Sequence, residues 1–317
     1  MSVSRILGVA SLVLACAACS STRLGPPPAP PVAVRPLDAM PGDLDLVVRL
    51  DLKRIRDTLG AAVMQGITEQ AVAGLHGEDR ATDQLLLGAL AQTDTVWAGF
   101  RPVNGLEGAD SVFVLRGQFS KFDPHAIAST PRFAAPLDLG AAFRRYDRKP
   151  PSARSAPARI YTRGDDLIVT LSEAEIDAVE RSLEEQRGLP PLEPAEKGAL
   201  SAVARPRVLP SAWFDAAPAL ERLTEHARRL ELTADLTSVG VDASLALEFE
   251  DASTAKRLAA ALTDLRDSLS GAGSGRLAKL AAKTQVTNAG EFITLHLVVG
   301  RDELGEIVNC RGAACAW

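Results

Sequence analysis

An α+β fold is predicted, built as two related halves, each an antiparallel sheet with helices on one face. Three observations predict it. Alternating apolar and polar residues mark half-buried strands, as where Leu44, Leu46, Val48 and Leu50 interleave with Asp43, Asp45 and Arg49. Apolar residues three and four apart mark amphipathic helices, most clearly Leu258, Leu262, Leu265 and Leu269. The order β-α-β-β-α-β-β-α then occurs twice, and one continuous sheet running through both halves is compatible with it. With 46% apolar and 24% charged residues in 317, the composition is that of a folded protein. The halves are expected over residues 41–188 and 200–309, with a Pro-rich, charged junction at 188–206 and a tail at 310–317.

In the first half, the strand at 44–50 runs into Asp51, which opens a helix along Lys53, Arg56, Leu59 and Val63. After the polar break Gly77-Glu78-Asp79, a second helix covers 84–91. Strands at 95–101 and 111–119 flank the loop Val103-Asn104-Gly105, and a short helix follows at 123–128. A Pro/Ala-rich loop, a strand at 143–146, a hairpin of 159–162 with 167–171, and a helix over 173–186 complete the half. Trp97, Phe100 and Phe113 are expected to pack inside.

In the second half, a strand at 207–213 precedes a helix whose apolar face is Ala216, Leu220, Leu223, Ala227 and Leu230. Leu232, Ala234 and Leu236 form the next strand, and Val241, Ala243, Leu245, Leu247 and Phe249 the one after it. A helix over 252–269, a glycine-rich joint at 271–275 and a short helix over 276–282 lead to a hairpin of 284–287 with 292–299. A last short helix starts at Asp302. The closing hairpins of the two halves look alike, Tyr161 to Val169 against Val286 to Thr294, which suggests a tandem duplication.

The chain opens with MSVSRILGVASLVLACAACSS: Arg5, an uncharged apolar run from Ile6 to Leu14, then small residues with Cys16 and Cys19. That is the pattern of a secretory signal peptide, and its end resembles the lipobox of bacterial lipoproteins. The resemblance implies cleavage before a cysteine that then carries acyl chains, palmitate among them. Val13-Leu14-Ala15 before Cys16 fits the lipobox and makes 1–15 the signal peptide. The alternative, Cys19, makes it 1–18 and leaves an even pair of cysteines behind. Neither Ala17 nor Ser20 is aspartate, which by lipoprotein sorting habit favours the outer membrane in a diderm cell. Residues 16–40 include Gly25-Pro26-Pro27-Pro28-Ala29-Pro30-Pro31, a tether biased to the extended polyproline II form. The expected localisation is therefore exported and lipid-anchored to the membrane.

The net charge of −5 and the absence of a basic stripe give no footprint for nucleic acid. His76, His125, His226 and His296 are isolated in sequence, and no metal or cofactor is expected. Ser253-Thr254-Ala255-Lys256 matches the S-x-x-K nucleophile motif of penicillin-interacting enzymes, with serine and lysine one helical turn apart. Lys283-Thr284 echoes that family's second motif, but Gln285 stands where glycine is required. The plainer account is that Asp251 or Ser253 caps a helix and Lys256 lies on its wet face. Arg163-Gly164-Asp165 spells an adhesion tripeptide at a place where a hairpin needs turn residues. Cys310 and Cys315, five positions apart in an exported chain, are expected to form a local disulfide. Together these features point to a non-catalytic envelope lipoprotein that binds an envelope protein or polymer; a Ser253/Lys256 hydrolase and a small-ligand binder are the alternatives.

Overall fold

The computed structural model describes residues 35–60, 80–101, 110–119, 126–127, 130, 132–138, 143–149, 157–164, 167–183, 191–206, 226–271, 276–301 and 303. The fold is α+β with antiparallel strand pairing, and the chain divides into two compact units between Glu193 and Pro194.

In the N-terminal unit a 3-10 turn at Pro36–Ala39 leads to β1 (Leu46–Asp51). Asp51 stops the strand and starts α1 (Leu52–Leu59), because its Oδ1 accepts the N–H of Arg54 at 2.9 Å. Gly60, at φ 83°, ends that helix. Then come α2 (Arg80–Ala91), β2 (Thr93–Arg101) and β3 (Asp110–Gly117). The hydroxyl of Thr93 donates to the carbonyl of Ala89 at 2.9 Å and fixes the turn out of α2. The short β4 (Leu137–Asp138) precedes β5 (Phe143–Asp147), and β6 (Arg159–Arg163) pairs with β7 (Leu167–Leu171). A 3-10 turn at Glu173–Glu175 runs into α3 (Ile176–Leu183).

These strands pair in the order β1-β2-β3-β7-β6-β5-β4. One sheet face carries Val47, Trp97, Val112, Val114, Val169 and Tyr161, all buried with Met40, Leu44, Val179 and Leu183. The opposite face is buried as well, through Val96, Ala98, Phe100, Phe113, Leu115, Ile160 and Ile168. Burial on both faces is why Val112 to Leu115 and Leu167 to Leu171 read as nearly unbroken apolar runs. Phe100 and Phe113 meet edge to face, 5.7 Å apart at 83°. The three aromatic residues expected inside are there.

The C-terminal unit contains β8 (Leu200–Ala204), β9 (Ala227–Leu236), β10 (Gly240–Phe249), α4 (Ala252–Gly271), α5 (Arg276–Lys283), β11 (Gln285–Ala289) and β12 (Phe292–Gly300). The strand order is β8-β9-β10-β12-β11. It repeats the β1-β2-β3-β7-β6 order of the first unit: in both, the final strand pairs with the third and the penultimate strand lies outside it. Apolar and polar residues alternate along much of β10, although most of that strand is only half-buried. Leu230, Leu247 and Ile293 are register partners on the face where α4 buries Ala255, Ala259 and Leu262. Leu258, Leu265 and Leu269 of the expected stripe are only half-buried.

Three expectations change. The first strand of the second half is Leu200–Ala204, inside the stretch taken as a junction, while residues 207–225 lie outside the described ones. Ala227 and Leu230 belong to β9, not to a helix. Their spacing of three mimics a helix because β9 is bulged: Phe249 faces Ala227 and Glu248 faces Arg229, so Arg228 is the extra residue. Both apolar residues then reach the buried side of a strand. The helix at 173–186 starts as a 3-10 turn, and 184–186 lie outside the described residues, as do Val63 and most of the short helices expected at 123–128 and from Asp302.

Candidate functional site

The S-x-x-K segment opens α4. Asp251 accepts the Ser253 hydroxyl at 2.5 Å, the Thr254 N–H at 2.8 Å and the Thr254 hydroxyl at 2.8 Å. Ser253's hydrogen bond, then those of Thr254, hold the Asp251 carboxyl far below the usual carboxylate range. Ser253 therefore donates its hydroxyl hydrogen bond to the capping carboxylate, and among the described residues no hydrogen bond joins it to Lys256, which lies exposed on the helix. The geometry is that of a helix start. Beside it a cleft of about 590 Å³ is lined by Arg205, His226, Arg228, Glu250, Asp251 and Thr254, with Arg228 and Glu250 paired at 3.4 Å.

The polar face of the C-terminal sheet carries the other group with chemical character. Gln285, His296, Ser244, Thr233 and Ser201 form one register row across five strands. His296 Nε2 lies 2.8 Å from Asp242 Oδ1, bridging β10 and β12. Asp235 stands directly opposite Asp242 on β9, a like-charge juxtaposition that weakens a strand pair unless a neighbour compensates. His296 occupies the compensating position. Ser244 and His296 are register partners, but among the described residues no hydrogen bond joins the Ser244 hydroxyl to the imidazole ring. At β8 the row is covered: Ser201 is fully buried and donates to the Ala195 carbonyl at 2.6 Å.

Two ionic networks in the N-terminal unit escaped the sequence analysis. Arg101 reaches Glu175 through Nε at 2.5 Å and Asp43 through both its carbonyl, at 2.9 Å, and its carboxylate. Burial raises the Glu175 pKa, against the pull of Arg101, while the Arg101 hydrogen bond lowers that of Asp43. Burial works against the Arg101 charge, but its two carboxylate partners outweigh that and raise its pKa. In the second network Arg159 donates to Asp147 at 2.6 Å, to Tyr161 at 3.3 Å and to Glu180. The Tyr161 hydroxyl donates to Glu180 at 3.0 Å, and Arg145 lies 3.1 Å from Asp147. Burial is the main cause of a strongly raised Tyr161 pKa. Two cations and two anions balance, and the network fastens α3 to β5 and β6. The available signal was parity: Arg145 and Tyr161 share a face with Trp97, Val114 and Val169.

Gly164 has φ 47° at the hairpin turn, and the Arg163 guanidinium lies 5.6 Å from the centre of the Phe143 ring. Both fit the turn account of the tripeptide; Asp165 is outside the described residues. So are Cys16, Cys19, Cys310, Cys315, His76 and His125. Among the described residues no three His, Cys, Asp or Glu side chains are grouped to hold a metal, and no helix is long and apolar enough to cross a membrane.

No protein family's sequence pattern matches the chain, and no curated protein matches it in sequence. The fold is similar to a solved one. Crystal form III of TP0453 matches with a TM-score of 0.51 at 8% identity, over 87% of this chain and 98% of that one. Crystal form I of the same protein gives 0.49 at 10% identity, over 87% and 97%. At such identity the likeness shows the fold alone.

Proposed function

We propose that the chain is a non-catalytic lipoprotein of the cell envelope, held by an acylated Cys16 (Cys19 in the alternative) and presenting its two α+β units to an envelope protein. The observation that carries the non-catalytic part is the Ser253–Asp251 bond of 2.5 Å: the nucleophile that the sequence offers is built into a helix cap. The ionic groups of the N-terminal unit are likewise spent on fastening turns and helices to the sheet. The signal-peptide and lipobox pattern of residues 1–19 supports the anchor, and the Pro-rich stretch behind it supports a spacer.

Palmitate labelling in a bacterial host tests the anchor: Cys16→Ser abolishes incorporation and Cys19→Ser retains it, and the reverse assigns the lipid to Cys19. Cross-linking of the full chain in its native membranes, read by mass spectrometry, tests the partner. One stoichiometric envelope protein supports the proposal, and a chain recovered alone overturns it. An acyl-serine probe that labels the wild type and not Ser253→Ala restores the hydrolase. The cleft of about 590 Å³ beside α4 favours one second reading, a small ligand held by Arg205, His226 and Arg228. It requires a rise in melting temperature with some compound of an anion library.

A further inference from the structure

The cleft beside α4 in the C-terminal unit is lined by side chains of both charges, and strand order separates them. Arg205 follows β8 and Arg228 stands on β9, whereas Glu250 and Asp251 follow β10, and the strands lie in the order β8-β9-β10. The arginines thus come from one side of that order and the carboxylates from the other. The cleft also borders the β9 bulge. Arg228 is the extra residue there, and a bulge re-aims a side chain and recurs beside binding sites. The volume, about 590 Å³, is that of a small-molecule site.

The lining decides which charge a guest must carry. Among the described lining residues two arginines stand against two carboxylates. The capping bonds of Ser253 and Thr254 keep Asp251 ionised. An anion drawn to the arginines therefore meets a fixed negative charge, and it parts Glu250 from Arg228 without giving Glu250 a new partner. A cation drawn to Glu250 strands Arg228 in the same way. The pair itself opens easily, being 3.4 Å long between side chains 58% and 72% exposed. A guest that carries an ammonium and an acid group replaces both halves of the pair at once and leaves no charge alone. His226 makes no hydrogen bond to another described residue, and its ring offers the acid group one more N–H.

From this charge pattern we infer that the cleft binds a small zwitterion, its acid group against Arg205, His226 and Arg228 and its ammonium group against Glu250. The inference rests on the small-ligand reading of the same cleft and narrows it from anions to molecules that carry both charges. A short peptide with free ends and a phosphoethanolamine headgroup share that chemistry. Both contacts are open to water, so binding is weak and falls as salt rises.

Saturation-transfer NMR on the full chain in non-ionic detergent at low salt tests it. The probes are diglycine, N-acetyl-diglycine, which lacks the ammonium, diglycine amide, which lacks the carboxylate, and phosphoethanolamine with methyl phosphate as its anionic counterpart. Diglycine is expected to bind about fivefold more tightly than either blocked form. The same advantage of phosphoethanolamine over methyl phosphate, with diglycine silent, assigns the site to a headgroup instead of a peptide. Glu250→Gln removes the advantage of the zwitterion over the anion, and Arg228→Gln removes that of diglycine over its amide. Unchanged circular dichroism confirms that both variants are folded. Zwitterions and their anionic counterparts binding equally well overturns the proposal and leaves the small-ligand reading standing. An advantage that survives Glu250→Gln also overturns it. Silence from all these probes overturns it, and silence from the anion library as well removes the small-ligand reading.

Discussion

Arg101 Nε lies 2.5 Å from Glu175 Oε1, joining the end of β2 to a turn 74 residues further on, where the Glu175 side chain is 1% exposed. The same guanidinium holds Asp43, so one cation gathers three segments of the N-terminal unit. A buried carboxylate this close to its charge partner is stable as a pair and costly as a remnant.

Arg101→Ala is therefore expected to cost about 3 kcal/mol at pH 7, because it strands Glu175. The pH dependence has a definite sign. The Glu175 pKa is raised in the folded protein, so its charged form is penalised and stability rises as pH falls through that value. Without Arg101 the penalty grows, and the deficit of the variant should shrink between pH 7 and pH 4. Urea unfolding at both pH values measures it; an equal deficit at both refutes it.

Asp43 behaves in the opposite sense. Its folded pKa is lowered, so its contribution is present above its ordinary value of 3.8 and is lost as pH falls through the folded value. Asp43→Asn should be less stable than wild type at pH 6, and the difference should shrink as the pH falls below 3.8. Parallel stability curves for the two proteins would show that Arg101 does not engage this carboxylate.

Gly240 and Gly290 both have positive φ, but their surroundings differ. A Cβ at Gly240, φ 156°, would fall 1.9 Å from the Val299 carbonyl oxygen, a backbone atom of the paired strand. A Cβ at Gly290, φ 61°, meets nothing within 4 Å. Gly240→Ala is expected to cost about 4 kcal/mol by forcing β10 from β12, and Gly290→Ala about 1 kcal/mol from conformation alone. Chemical denaturation of the two variants tests the ranking.

Tyr161 and Glu180 share a hydrogen bond of 3.0 Å within the network that docks α3. A double-mutant cycle with Tyr161→Phe and Glu180→Gln should give a coupling of about 1 kcal/mol. Additive losses would mean that Arg159 and Arg145 hold Glu180 without help from the phenol.

Local features were legible in the residues. The caps at Asp51 and Asp251, the hairpin around Gly164 and the strand β10 each depend on neighbours within a few positions, and each stands where the pattern put it. β8 was not legible. Leu200 to Ala204 is a five-residue stretch beside a Pro-rich segment, and it is a strand because it pairs with β9 from Leu230 to Ala234. The row from Gln285 to Ser201 was equally hidden, since its five members come from five strands and only register aligns them.

By itself the sequence determined the α+β class, the doubled order of elements, the two helix starts and the exposed hairpin turns. All follow from the backbone's own periods and from hydrogen bonds over three or four residues. Tertiary structure decided that β12 pairs with β10 and leaves β11 outside, that Ala227 and Leu230 lie on a bulged strand, and that Arg101 finds Glu175. Those outcomes rest on contacts between distant segments, where the register that buries most apolar surface and leaves no charge alone prevails over local preference.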